Sequence, residues 1–185
     1  ASGIFDTHNQ QQSHWQNFAI LYRTNAQSRS FEESLRKLNI PYRIYGGLSF
    51  YQRKEIKDLI AYFRLTANHR DDEALKRVIN YPARGIGKTT MDRLLVESTE
   101  RELAIWDLVE NVLEPPTSIQ GAALRKVKDF IAMVKGFAAE LKTKDAHDLG
   151  MHIAKHTGLV HTLYQDKTPE GVARYDNLQE LLNGM

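Results

Sequence analysis

The sequence predicts an α/β fold that is predominantly helical, in which a small parallel sheet is followed by a helical subdomain. Two short apolar runs, residues 18–22 and 42–45, are rich in strand-forming side chains. Between them, residues 30–38 begin with a capping box and carry one apolar helical face. Strand, helix and strand in this order build a parallel sheet. After Lys54 the apolar residues follow helical spacing.

The chain divides into three predicted segments. The first contains three consecutive glutamines and no apolar period, which predicts a flexible terminus. The clearest interruption farther along is Pro115-Pro116. Beyond it the apolar spacing predicts a long helix over residues 124–141 and shorter helices around 149–154 and 172–182. The predicted segments are therefore residues 1–17, 18–114 and 115–185.

The composition excludes several classes of protein. The 185 residues include no cysteine, which rules out disulfides, thiolate zinc sites and a cysteine nucleophile. Hydrophobic residues make up 42% and charged residues 26%, as in globular proteins. No apolar run approaches the roughly 20 residues of a membrane helix, and the polar start lacks a signal-peptide pattern. We therefore expect a cytoplasmic protein without a membrane partner.

The net charge of +2 hides an uneven distribution. Residues 22–93 carry 15 lysines and arginines against 8 acidic residues, whereas residues 94–124 carry one against six. A basic block followed by an acidic block indicates a polyanion-binding surface on the first part of the chain. The alternative is that these charges lie on ordinary solvated helix faces.

Residues 85–90, GIGKTT, look like the end of a phosphate-binding P-loop. That motif requires a glycine five residues before the glycine that precedes the lysine, and Pro82 stands there. It also follows a strand, whereas residues 72–80 have helical spacing. We therefore reject a Walker A site.

A helix–turn–helix hairpin explains the same residues better. Gly85 and Gly87 allow close backbone approach, and the first N–H groups of the following helix can bind an anion. Arg84 and Lys88 add two positive charges. Such a hairpin suits a nucleic-acid phosphate without reading the bases. The alternative is a plain turn between two helices in which glycine supplies a positive φ.

Two histidines have the spacing of metal ligands on a helix. His152 and His156 have helical i, i+4 spacing, but the glutamate of the zinc-protease motif and a third ligand are missing, so we predict no metal site.

Residues 22–29 directly follow the first predicted strand, at the end where parallel sheets bind ligands. The aromatic ring of Tyr22 beside Arg23 suits a nucleotide. The alternative is a solvated loop.

Several motifs occur together in a recognisable order. They are residues 19–29 (AILYRTNAQSR), 40–50 (IPYRIYGGLSF), 53–58 (RKEIKD) and 84–87 (RGIG), followed by the looser 155–159 (KHTGL) and 175–182 (YDNLQELL). This series resembles motif IV and its successors in the UvrD/PcrA/Rep helicases of superfamily 1. The match is dense over residues 18–113 and looser from Pro115 onward.

The resemblance implies a fold and an activity. Residues 18–114 would be the first half of the second RecA-like domain, called 2A, and residues 115–185 the start of the helical insertion called 2B. The whole enzyme would use ATP and Mg²⁺ to translocate 3′ to 5′ on single-stranded DNA and unwind duplexes during repair and replication. Its partners would be single-stranded and duplex-junction DNA and its own remaining domains. Without Walker A and B, the fragment alone is expected to bind no cofactor and to be inactive.

The resemblance also implies site residues. Tyr22 would stack on adenine, and Arg23 would be catalytic by reaching the γ-phosphate. DNA contacts would come from the hairpin, its flanks and the KHTGL segment, namely Arg70, Arg84, Gly85, Gly87, Lys88, Arg93, Lys155, Thr157 and Gly158. Two alternatives stay open, a stand-alone DNA-binding module that uses the hairpin and a protein-interaction domain that uses the acidic block.

Overall fold

The computed structural model describes residues 1–111 and 118–185, and all regular secondary structure within these ranges is helical. Three 3-10 helices lie at Trp15–Asn17, Asn25–Gln27 and Phe50–Gln52. None of the described helices is long and apolar enough to span a membrane. The α-helices are α1 Ser2–Gln11, α2 Ser28–Lys37, α3 Lys54–Ala67, α4 Asp72–Val78, α5 Lys88–Glu100, α6 Ile105–Asn111, α7 Gly121–Glu140, α8 Ala146–His156, α9 Leu159–Gln165 and α10 Pro169–Asn183.

The predicted parallel sheet is wrong, because no β-strand forms among the described residues. Residues 18–22 and 42–45 are irregular, and the ring of Tyr22 stacks on Phe31 of α2 with centroids 6.1 Å apart. A parallel sheet needs cover on both faces, but the side chain of Leu21 is 93% exposed. Two strand-forming segments without further strands make only a marginal sheet. The fold is therefore a helical domain rather than an α/β domain.

Helix α3 lies at the centre of the core. Ile56, Leu59 and Tyr62 on its inner face are completely buried. The helix packs against α4, α7, α8 and α10, so it contacts helices from both halves of the chain. Burial of each large apolar side chain stabilises the fold by about 1.5–3 kcal/mol. Helix α3 therefore fixes the positions of the loop before it and the loop after α4 relative to α7, α8 and α10.

The core excludes the first predicted segment and includes helices from the other two. Helix α1 in the first predicted segment buries none of its residues. The double proline Pro115-Pro116 lies outside the described residues. Helices α6 and α7, which come before and after it, pack against each other, and their buried side chains belong to one hydrophobic cluster.

Side-chain caps fix where three helices begin. In each, a side-chain oxygen accepts a hydrogen bond from a backbone N–H in the first turn. The pairs are Asp71 with Ala74 (2.9 Å) for α4, Asp145 with Asp148 (2.8 Å) for α8, and Thr168 with Gly171 (3.0 Å) for α10. Helix α5 differs, because Gly87 at its start offers no side-chain cap.

Candidate functional site

The segment between α4 and α5, residues 79–87, is a hairpin held by side chains rather than by a sheet. The side-chain oxygen of Asn80 accepts hydrogen bonds from the backbone N–H groups of Arg84 (2.8 Å) and Ile86 (3.0 Å). The hydroxyl of Tyr62 on α3 bonds the carbonyl oxygens of Val78 (3.1 Å) and Tyr81 (2.5 Å). Burial raises the pKa of Tyr62 to about 12, so this hydroxyl stays a donor at neutral pH.

The two glycines of the hairpin have different requirements. Gly85 has a φ of +70°, in the region that favours glycine, and an added Cβ would lie 2.4 Å from Nζ of Lys126. Gly87 has a φ of −77°, and nothing lies within 4 Å of an added Cβ. The backbone at Gly87 therefore faces open space, where a ligand can approach closely.

Helix α5 begins at this open backbone. Among the described residues, the N–H groups of Gly87, Lys88 and Thr89 have no hydrogen-bond acceptor, and the first turn contains no acidic side chain. All three residues are exposed, and the Lys88 ammonium has no partner within the described ranges. Free N–H groups at the positive end of a helix attract anions. A phosphate contact at these groups stays a prediction.

The guanidinium of Arg84 is bonded within the fold and is therefore not a free positive charge. Its Nη1 donates to the carbonyl oxygens of Val78 (3.3 Å) and Pro82 (3.0 Å), and its Nη2 donates to that of Thr157 (2.8 Å). It also lies 5.4 Å from the ring centroid of Phe130. Arg84 therefore ties the hairpin to the turn between α8 and α9.

That turn contains the second group of predicted DNA contacts. Gly158 has a φ of +83°, and an added Cβ would lie 3.8 Å from Cγ of Pro82. The hydroxyl of Thr157 is buried and donates to the carbonyl oxygen of Ile153 (2.7 Å), so it is not presented to solvent. Lys155 is exposed. The structure thus brings the hairpin and the KHTGL segment together, although more than 65 residues separate them in the sequence.

Sequence reasoning missed Lys126. This exposed residue of α7 places its Nζ 3.4 Å from the carbonyl oxygen of Gly85. With Lys88 and Lys155, it gives the joined loops three lysines. No spacing in the sequence links α7 to the hairpin, so only the folded chain reveals this neighbour. We refer to the hairpin 79–87, the first turn of α5, Lys126 and the 155–158 turn as the loop surface.

Two predicted DNA contacts lie at its edge or away from it. Arg93 lies five residues beyond Lys88 on α5, roughly 7.5 Å along the axis, and donates to the carbonyl oxygen of Ser118 (3.3 Å). Arg70 lies beyond the C-terminal end of α3 and pairs with Asp107 (2.9 Å). The hairpin residue Tyr81 packs against Lys54 at the opposite end of α3, roughly 20 Å away. The structure therefore does not bring Arg70 to the loop surface.

The predicted nucleotide residues lie at a separate place, before α2. Tyr22 is half-buried on Phe31, and Arg23 is exposed with no side-chain partner among the described residues. The Gln27 side chain accepts hydrogen bonds from the N–H groups of Arg23 (3.0 Å) and Thr24 (3.2 Å), which fixes the turn that follows. An aromatic ring beside a free guanidinium can bind a nucleotide by stacking and by charge.

The two metal-spaced histidines contact each other and their neighbours. The rings of His152 and His156 stack with centroids 4.0 Å apart. Nδ1 of His152 lies 3.2 Å from a carboxylate oxygen of Glu140 and 2.7 Å from Nζ of Lys144. Burial, and next the charge of His156, lower the pKa of His152. Nζ of Lys144 also lies 2.8 Å from the Glu140 carboxylate, so these side chains form a local surface network on α7 and α8.

Comparison with known proteins gives a consistent result. Residues 1–183 match the family model described as UvrD-like helicase C-terminal domain. The chain is 40% identical over 164 residues to DNA helicase II of Escherichia coli (strain K12), which covers 89% of the chain and 23% of that protein. It is 42% identical over 169 residues to DNA helicase II of Haemophilus influenzae (89% and 22%). It is 32% identical over 169 residues to ATP-dependent DNA helicase PcrA of Staphylococcus aureus (strain Mu50; 91% and 23%). The chain thus spans less than a quarter of the length of these relatives.

Proposed function

The chain belongs to the UvrD-like helicase C-terminal domain family, and on this premise we propose that it is part of an ATP-dependent DNA helicase. The whole enzyme hydrolyses ATP with Mg²⁺, translocates 3′ to 5′ on single-stranded DNA and separates duplexes. The names of the relatives, DNA helicase II and ATP-dependent DNA helicase PcrA, support this activity. We further propose that the whole enzyme works in the cytoplasm.

The proposal divides the work between the two candidate sites. Residues 18–114 belong to domain 2A and contribute to ATP binding, and residues 115–185 begin domain 2B. Other domains of the same polypeptide supply the P-loop and the Mg²⁺ ligands. In this arrangement helix α3 connects both sites. Arg53 at its N-terminal cap donates to the Asn25 carbonyl oxygen in the nucleotide-facing turn, residues 22–27, and the helix packs against α4 and α8, which lead into the loop surface.

One observation carries the DNA-binding part of the proposal. The bond from Arg84 to the Thr157 carbonyl joins two segments that were each predicted to contact DNA. The joined segments include backbone N–H groups at the start of α5 that have no acceptor among the described residues. They also include the exposed Lys88 and Lys155, and Lys126 lies against Gly85. Backbone donors and lysines bind phosphate and cannot distinguish bases. We therefore assign the loop surface to the DNA backbone at a single-strand to duplex junction.

The nucleotide part of the proposal rests on Tyr22 and Arg23. The outer face of the Tyr22 ring stacks on adenine, and the guanidinium of Arg23, which has no side-chain partner among the described residues, reaches the γ-phosphate in the assembled enzyme. An arginine that stabilises a transferring phosphoryl group can raise the rate on the order of 10³-fold or more. Arg23 acts there as a catalytic residue, and Tyr22 acts as a binding residue.

The test of this assignment is Arg23→Ala in the full-length helicase. We expect kcat for ATP hydrolysis to fall on the order of 10³-fold while DNA affinity stays near the wild-type value. Lys142→Ala, which removes an exposed positive charge outside both candidate sites and without a partner among the described residues, is the control. Wild-type turnover in Arg23→Ala contradicts the nucleotide role. ATP hydrolysis by the isolated 185-residue chain above a buffer blank contradicts the assignment of the P-loop to another domain.

A further inference from the structure

A buried guanidinium lies directly beneath the turn that follows Tyr22 and Arg23. Arg53, only 8% exposed, donates from Nη1 to the backbone carbonyl oxygen of Asn25 (2.7 Å) and from Nη2 to the hydroxyl of Ser28 (3.1 Å). It thereby holds both ends of the short 3-10 helix Asn25–Gln27. The backbone of Arg23 lies two residues before this anchor.

The same guanidinium reaches the far end of the chain. Nη1 of Arg53 also donates to the side-chain oxygen of Asn177 on α10 (2.8 Å), and Nδ2 of Asn177 donates to the carboxylate of Glu55 (2.7 Å). Asn177 is 3% exposed and Glu55 is 5% exposed. The side chain of Asn177 therefore accepts a hydrogen bond from Arg53 and donates one to Glu55.

Neutral hydrogen-bond acceptors hold this buried charge. Within the described residues, no carboxylate lies within salt-bridge distance of the Arg53 guanidinium, and burial lowers its pKa. Burying a charge is costly unless hydrogen bonds satisfy it. Neutral acceptors from two loop segments and α10 satisfy Arg53 here, so the geometry of those segments is tightly specified by one side chain.

We propose that Arg53 and Asn177 are positioning residues that hold the nucleotide-facing turn and link it to α10. This inference rests on the proposed nucleotide role of Tyr22 and Arg23. Arg53 sets the position of the backbone from which Arg23 projects, so it controls how well the Arg23 guanidinium is placed. Because Asn177 binds the same guanidinium, a displacement of α10 is transmitted to the turn through two hydrogen bonds.

The test uses Arg53→Lys, Arg23→Ala and the double variant in the full-length helicase. Lysine keeps the charge but loses the planar fork that bridges Asn25, Ser28 and Asn177. We expect Arg53→Lys to lower kcat for ATP roughly 10- to 100-fold through misplacement of Arg23. The double variant should be no slower than Arg23→Ala alone, because Arg53 acts through Arg23. Arg174→Lys, a surface residue of α10 paired with Glu170, is the control and should match the wild type.

The other outcomes overturn the inference. If Arg53→Lys and Arg23→Ala multiply in the double variant, or if Arg53→Lys keeps wild-type turnover, Arg53 does not act through Arg23. Should Arg53→Lys lose its helical circular dichroism, Asn177→Ala takes its place in the same cycle, since it removes one bond to Arg53 and leaves Asn25 and Ser28 in place. Wild-type turnover in Arg23→Ala itself overturns the proposed nucleotide role, which distinguishes that failure from a failure of the positioning role.

Discussion

The guanidinium of Arg84 illustrates how a cation in a basic segment can serve the fold instead of a ligand. Its three carbonyl acceptors belong to Val78 at the end of α4, Pro82 in the hairpin and Thr157 in the turn between α8 and α9. A lysine can donate to one or two of these oxygens but cannot span them with a rigid fork. The contribution of Arg84 to DNA binding is therefore expected to come mainly through the shape of the loop surface.

Arg84→Lys tests this role while keeping the charge. We expect the free energy of unfolding of the chain to fall by about 1–3 kcal/mol, because buried carbonyl groups lose charged donors. DNA affinity should fall as well, although the net charge is unchanged. Urea denaturation and fluorescence anisotropy with a labelled duplex measure the two effects. Wild-type stability together with wild-type affinity would show that the bridge between the loops is dispensable.

Burial of the His69 ring changes how readily this side chain binds a proton. Its ring stacks on Trp106 with centroids 4.1 Å apart, and its buried Nε2 has no hydrogen-bond partner among the described residues. Burial lowers the pKa of His69 below its usual value near 6.5, an effect that Glu110 opposes and Lys135 reinforces. The unfolded chain therefore binds the proton more readily than the folded chain.

The sign of the pH dependence follows from this difference. As pH falls below about 6.5, protonation favours the unfolded chain, so the free energy of unfolding should decrease between pH 7.5 and 5.5. His69→Phe keeps a ring against Trp106 and removes the titration, so it should make this decrease smaller. Urea denaturation at several pH values measures the slope, and His161→Phe, an exposed histidine, serves as control. An unchanged slope in His69→Phe contradicts the assignment.

At the scale of elements, the sequence predicts most of the helices correctly but also predicts a sheet that does not form among the described residues. The apolar spacing after Lys54 correctly predicts α3 to α8 and α10, because each of these helices turns apolar residues toward the core. Helix α1 is missed because none of its residues is buried. Residues 18–22 have the composition of a strand, but strand formation depends on neighbouring strands that a local pattern cannot supply.

In the candidate site, features formed by neighbouring residues are predictable from the sequence, and contacts between distant residues are not. The hairpin 79–87 is recognisable because its glycines and cations are adjacent in the sequence. The roles of Arg53 and Lys126 depend on contacts with α10 and with Gly85, at sequence separations of 124 and 41 residues. No periodicity connects such positions. The resemblance to UvrD-like helicases located the segments, and the family match confirms that resemblance.

The hairpin itself gives an element-scale prediction that uses its two glycines. Gly85→Ala places a Cβ at a φ of +70°, so the free energy of unfolding should fall by about 1–2 kcal/mol, whereas the flexible end of Lys126 can move aside at little cost. Gly87→Val faces open space at a φ of −77° and should leave stability within about 0.5 kcal/mol. The valine side chain should nevertheless weaken DNA binding by blocking backbone approach. If Gly87→Val binds DNA like the wild type, the α5 N-terminus does not contact phosphate.

At the scale of the whole molecule, the basic excess of residues 22–93 is mostly used within the fold. Lys54 and Arg77 pair with Asp58, Arg64 pairs with Asp71, and Arg70 pairs with Asp107. The net charge of a segment therefore overstates the charge available to DNA. The loop surface differs because its three lysines, Lys88, Lys126 and Lys155, are exposed and have no carboxylate partner among the described residues.

This count of lysines predicts the salt dependence of DNA binding by the 185-residue chain. Two or three phosphate contacts to duplex DNA give a slope of log K against log salt of roughly −1.8 to −2.7. Affinity should then fall about 10- to 40-fold between 50 and 200 mM salt, independently of base sequence. Lys88→Ala should flatten the slope by roughly 0.9, and Lys126→Ala should do the same.

The matched control is Lys57→Ala, an exposed lysine of α3 with no partner among the described residues, which lies outside the loop surface. If the loop surface carries the DNA contact, this control keeps the wild-type slope, because a solvated lysine far from the DNA releases no counterion. Circular dichroism confirms that each variant remains folded. Equal flattening in all three variants would indicate a diffuse electrostatic attraction by the whole chain. A wild-type slope near zero would contradict phosphate binding by this domain altogether.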